Sequence, residues 1–135
     1  MPIVWRDQMS VGNEHIDQDH KYLICLFNSI ELALSNEKKD ELLPMFFDQL
    51  LEYTKVHFDR EERIQLKMQY PGHYEHKQKH QEIVQSLMEV NAELQLGVEY
   101  RDDLLDLIRT WVVDHLIVTD QALKPYLKKL PKDFR

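Results

Sequence analysis

Apolar residues recur every three or four positions along most of the chain, and no run of four to eight alternating β-branched residues interrupts them. That period predicts helices and no strands. After an irregular arm holding Trp5, Asp17 is placed to cap a first helix that ends near Asn36. Its inward stripe reads His20, Leu23, Phe27, Ile30 and Leu34. A polar link through Lys38 and Lys39 leads to a second helix from near Asp40. There Pro44 falls in the first turn, where a missing N–H does least harm. One face of this helix carries Phe47, Leu50, Thr54, His57, Glu61 and Ile64, and Tyr70-Pro71-Gly72 is the turn signal that ends it. A third helix aligns His76, His80, Ile83, Leu87 and Leu94, with Gly97 as its stop. The fourth runs from about Asp102 through Leu104, Ile108, Trp111 and His115 to about Asp120. The remainder, Gln121 to Arg135, is basic and broken by Pro125 and Pro131, so at most a short helix fits there, and Lys124 to Arg135 reads as a solvated end.

Four long helices with short links predict an all-α, up-down-up-down four-helix bundle, with an N-terminal irregular arm and a short C-terminal segment. At 135 residues the whole chain, 1–135, is expected to form a single domain. The longest apolar runs, such as Leu42 to Phe47, fall far short of the about 20 residues needed to span a bilayer, so no membrane segment is expected. Arg6 and Asp7 follow the first residues directly, which does not read as a signal peptide. The single cysteine, Cys25, cannot form an internal disulfide and is expected as a small buried apolar residue, with a cytoplasmic setting as the default. Seventeen basic against 24 acidic side chains give a net charge of −7, which repels a phosphate backbone and argues against nucleic acid as a partner. Three scattered glycines cannot build a phosphate cradle.

The chemistry lies in the histidines. Every predicted helix puts at least one imidazole on its inward stripe: His20, then His57 with Glu61, then His76 with His80, then His115 with Asp120. A spacing of four turns an α-helix by about 400°, so both members of such a pair leave the same face and can converge on one metal or on two neighbouring ones. The five-residue step from His115 to Asp120 leaves them about 140° apart on an ideal helix. For both to be ligands, the helix must distort or end near Thr119.

A lone histidine on an apolar stripe is ordinarily a hydrogen-bonded core residue. Five imidazoles and two carboxylates facing one core are a different matter. Left without partners they would overwhelm a net stability of about 5 to 15 kcal/mol. A metal coordinates the imidazoles and compensates the carboxylates. Nitrogen and oxygen donors without thiolate fit iron and tolerate manganese, cobalt or zinc, and seven residues exceed a tetrahedral structural zinc. No Glu-x-x-His occurs anywhere in the chain, which excludes a ferritin-like arrangement.

These segments carry a family likeness. Ile16-Asp17-Gln18-Asp19-His20-Lys21, His57-Phe58-Asp59-Arg60-Glu61-Glu62, Tyr70-Pro71 followed by His76-x-x-x-His80, and Trp111 through His115 to Asp120 together resemble the single-domain bacterial hemerythrins over nearly the whole chain. The resemblance implies a non-haem di-iron centre with an oxo or hydroxo bridge. It places His76, His80 and His115 on one iron, His20 and His57 on the other, and Glu61 and Asp120 across both. The five-residue step before Asp120 is the family's own spacing. Asp19 stands where the family usually has Gln, and Asn13-Glu14-His15 is unusual in the arm. His15 and His73 are the spare histidines and read as surface residues.

With the bridging oxygen that the family implies, this donor set fills all but one position of two octahedral irons. The vacancy falls on the iron with two imidazoles, beside His20 and His57. The expected function is therefore reversible dioxygen binding for storage, delivery or sensing, without enzymatic turnover; the resemblance implies irons that are ferrous when empty and ferric when loaded. Helical position puts Trp111, Val112 and Leu116 around that side as the oxygen pocket. A di-iron enzyme acting on peroxide or nitric oxide is the alternative, and a purely structural metal a third reading. No nucleophile-and-base pair is visible outside the donors, which favours binding over turnover.

Overall fold

A computed structural model of the chain describes residues 2–35, 43–95 and 101–127. Among the described residues the helices are α1 (Glu14–Ser35), α2 (Leu43–Met68), α3 (His73–Gln95), α4 (Arg101–Thr110) and the short α5 (Lys124–Leu127), with no strand. A 3₁₀ turn, Asp7–Met9, precedes α1, and α4 continues into a π-helix, Trp111–Val118, and a 3₁₀ segment, Thr119–Leu123. α1 packs on α2, α2 on α3, and α4 with its π-helical continuation returns against α1, as a four-helix bundle requires. None of the described helices is long and apolar enough to cross a membrane.

The start of α1 differs from the expectation. Asn13, not Asp17, is the cap: its Oδ1 accepts the Ile16 N–H at 2.9 Å. Asp17 turns back to the arm instead, accepting from the Val11 N–H at 2.9 Å and the Ser10 hydroxyl at 2.5 Å. Gly12, at φ 83°, supplies the left-handed step between arm and helix. Glu14 and His15 are therefore helical, and His15 is exposed. Pro44 does fall in the first turn of α2, and α2 ends at Met68, ahead of the Tyr70-Pro71-Gly72 turn. A Cβ on Gly72 would come within 2.9 Å of the Tyr70 ring, so the ring lies close over the glycine. Asp40 and Gly97 lie outside the described residues.

Leu23, Phe27 and Ile30 of α1, Phe47 and Leu50 of α2, Leu87 of α3 and Ile108 of α4 are fully buried in one cluster. Each such side chain is worth about 1.5 to 3 kcal/mol. A smaller cluster joins Val11, Ile16, Leu123 and Leu127. The stretch from Lys124 is thus not merely a solvated end, because Leu127, with Leu123 before it, closes the bundle against the arm. Cys25 is exposed, against expectation. Two residues beyond Leu23 it points about 200° away from the buried stripe. Between the two clusters lies a polar layer: His20 between Ile16 and Leu23, Glu61 between Phe58 and Ile64, Asp120 between Leu116 and Leu123.

Candidate metal centre

The polar layer brings together all seven predicted donors, each at most 5% exposed. They form two groups whose ligand atoms lie within 4.8 Å of one another: His76, His80 and His115 with Glu61 and Asp120, and His20 and His57 with the same two carboxylates. In the first group His115 Nε2 is 3.0 Å from His80 Nε2 and 3.3 Å from His76 Nε2. Metal–imidazole bonds of about 2.1 Å place adjacent octahedral donors about 3.0 Å apart, so these nitrogens are spaced as one ion would hold them.

Each carboxylate divides its two oxygens between the groups. Glu61 Oε1 lies 3.2 Å from His76 Nε2 and 3.4 Å from His80 Nε2, whereas Oε2 lies 3.2 Å from His57 Nε2. Asp120 Oδ1 lies 2.9 Å from His76 Nε2 and 3.2 Å from His115 Nε2, whereas Oδ2 lies 3.0 Å from His20 Nε2. On the two-imidazole side the four inward atoms, His20 Nε2, His57 Nε2, Glu61 Oε2 and Asp120 Oδ2, are buried without a single hydrogen-bond partner. Buried polar atoms are rarely left so, and a cation on each side satisfies them all. The donor set fits two metal ions bridged by two carboxylates.

The π-helix resolves the five-residue step. Its i to i+5 bonding advances less rotation per residue than an α-helix, so positions five apart come onto one face. His115 lies within Trp111–Val118 and Asp120 in the tighter 3₁₀ turn that follows. The Thr119 hydroxyl bonds the Asp114 carbonyl at 2.6 Å, pinning the junction.

Comparison with known proteins agrees with this geometry. The family described as hemerythrin HHE cation binding domain matches residues 11–127. The chain belongs to the hemerythrin family. A bacteriohemerythrin of Stenotrophomonas maltophilia is 27% identical over 126 residues, covering 93% of this chain and 82% of the relative. One of Pseudomonas aeruginosa is 26% identical over 135 residues, covering 97% and 88%. Among solved structures, a wild-type hemerythrin crystal structure superposes with a TM-score of 0.84 at 22% identity, covering 94% of this chain and 98% of the other. The crystal structure of a hemerythrin point mutant gives 0.83 at 23%, covering 93% of this chain and 96% of the other. These likenesses in structure concern the fold. The hemerythrin domain holds a di-iron centre, and the His, Glu and Asp cluster provides for it.

Around the hemerythrin-type donors is a layer of hydrogen bonds that the spacing of His, Glu and Asp did not reveal. His57 Nδ1 donates to Asp19 Oδ2 at 3.0 Å, and Asp19 Oδ1 accepts from the Tyr53 hydroxyl at 2.7 Å and Arg60 Nη1 at 2.5 Å. Gln65, fully buried one turn after Glu61, meets His76 Nδ1 through its amide. His73 is correspondingly more than a surface residue: half-buried, it donates from Nδ1 to Gln65 Oε1 at 3.1 Å. Phe58 stacks flat on His80, centroids 3.7 Å apart and planes 2° apart, with Trp111 edge-on to it at 5.0 Å. Extending the Glu61 stripe by four residues would have reached Gln65. Nothing in the sequence ranks Tyr53 or Arg60 above other polar residues of α2.

In the metal-free chain these groups share protons. Burial pushes His57 down, but its hydrogen bond to Asp19 and the close Glu61 carboxylate outweigh it and raise its pKa to about 9. Burial drives His115 down to about 4 despite the nearby carboxylates. Burial would raise Glu61, yet His57 and His80 hold it well below the usual carboxylate range. Of the residues expected around the His20 and His57 side, Trp111 is buried against His115, on the three-imidazole side; Leu116 is buried, and the Val112 side chain lies outside the described residues. A cavity of about 300 Å³, lined by Ile83, Leu87, Leu107, Trp111 and His115 among others, opens on the three-imidazole side.

Proposed function

We propose that residues 1–135 act as a single hemerythrin-like domain that binds dioxygen reversibly at its di-iron centre, for oxygen storage, delivery or sensing. The observation carrying this reading is the division of the Glu61 and Asp120 oxygens between three imidazoles on one side and two on the other. His76, His80 and His115 would hold one iron, His20 and His57 the second, with both carboxylates across the pair. With three imidazoles for one ion and two for the other, the open position would lie beside His20 and His57. The irons supply the electrons and the open position that dioxygen requires.

The chain's part is to hold the pair rigidly and keep water out. Each donor projects from a packed helix between two apolar clusters, so the set is preorganised. Phe58 and Trp111 wall the donors with apolar surface. His57 is kept with Nδ1–H on Asp19, which directs the Nε2 lone pair into the centre. The matching bacteriohemerythrins and the absence of a nucleophile-and-base pair around the described donors support binding rather than turnover. An optical titration between anaerobic and aerobic buffer tests it: a colour that fades without oxygen and returns in air is expected, and steady consumption of peroxide or nitric oxide with a reductant would refute it.

A further inference from the structure

The outer partners of the donor imidazoles differ in charge. His76 Nδ1 meets the neutral Gln65 amide, and His80 Nδ1 lies 3.4 Å from Glu62, a carboxylate whose side chain is 19% exposed. His57 Nδ1 lies 3.0 Å from Asp19, which is 1% exposed. Asp19 cannot swing away, because its other oxygen is gripped by the Tyr53 hydroxyl and by Arg60 Nη1. An imidazole N–H, a phenol hydroxyl and a guanidinium all point at this carboxylate, a set of donors that suits the anion. A fixed negative charge one imidazole away from a metal, in a poorly polarisable interior, stabilises the more highly charged ion. Among the described residues no equally buried carboxylate backs the three-imidazole side.

We propose that Asp19, clamped between Tyr53 and Arg60, is a positioning residue that acts through His57 to make the His20–His57 iron the more readily oxidised of the pair, strengthening its hold on anionic ligands. This rests on the di-iron reading above and deepens it. Where a neutral side chain would only orient His57, the carboxylate also adds charge.

The test uses the iron-loaded full chain, titrated with dithionite and a mediator, with azide as the anionic probe. Asp19→Asn keeps the shape and removes the charge. At full iron content its midpoint potential should rise and its azide affinity fall about tenfold, the low end for an outer-shell partner. Tenfold corresponds to about 59 mV in a one-electron couple. Arg60→Gln removes the opposing charge and should move the potential the other way, by less, because its side chain is 42% exposed and screened by solvent. Asp19→Glu should restore the potential toward that of the parent. An unchanged potential in Asp19→Asn with both irons present overturns the proposal, as do same-direction shifts in Asp19→Asn and Arg60→Gln. A parent protein that holds no iron pair would instead refute the di-iron reading itself, before any variant is compared.

Discussion

His115 Nε2 stands 3.2 Å from Asp120 Oδ1, although five residues separate them, because the chain between them winds as a π-helix and then a 3₁₀ turn. The same carboxylate reaches His20 with its other oxygen, so Asp120 serves both sides of the centre. Asp120→Ala is therefore expected to lose both irons rather than one, and to lower the melting temperature, since metal binding is coupled to folding. Glu61→Ala should behave alike. Iron quantification with thermal melts decides it, and full occupancy of either position would contradict the bridging role.

Phe58 covers His80 ring to ring and meets Trp111 and His115 edge-on. Phe58→Ala should cost about 3 to 5 kcal/mol of stability and admit water beside the donors. Chemical denaturation should show the loss, and the oxygen-loaded form should bleach irreversibly faster than in the parent chain.

The proton inventory makes iron binding pH-dependent. His57 keeps its proton up to about pH 9 in the metal-free fold, above its ordinary 6.5. Its contribution to the stability of that form is complete below pH 6.5 and disappears as pH rises through about 9. A metal must displace this proton. Loading ferrous iron at pH 7 should release protons, measurable with an indicator dye, and apparent iron affinity should climb between pH 7 and 9. Affinity that stays flat over that range would contradict the assignment of His57 as a donor.

If, as proposed, a single vacancy lies beside His20 and His57, azide and dioxygen compete for it. Adding azide to the oxygen-loaded protein should displace oxygen in proportion to its concentration. Full-strength binding of both together would contradict one shared position.

The bundle and the clustering of seven His, Glu and Asp side chains were legible because helix periodicity and four-residue spacing are properties of local sequence. His57 with Glu61 and His76 with His80 declare a shared face without any knowledge of packing. Even the misfit of Asp120 was informative, since it demanded a distortion before Thr119, and the helix changes form at Trp111. What stayed hidden depends on contacts distant in sequence. Asp17 and Asn13 are both competent caps, and the arm decides between them by taking the Asp17 carboxylate for Ser10 and Val11. Leu127 reads as part of a polar end until Val11 and Ile16 cover it. Asp19 meets Tyr53 and Arg60, which are more than 30 residues away. Residue type alone puts Cys25 inside, whereas its angle from Leu23 puts it on the surface, where it lies.

The most direct test of the account is iron stoichiometry measured together with the anaerobic-to-aerobic optical change on one purified sample. Two irons per chain and a reversible spectral change carrying one dioxygen per iron pair are predicted. One metal ion per chain, or two irons that leave the spectrum indifferent to oxygen, would contradict it.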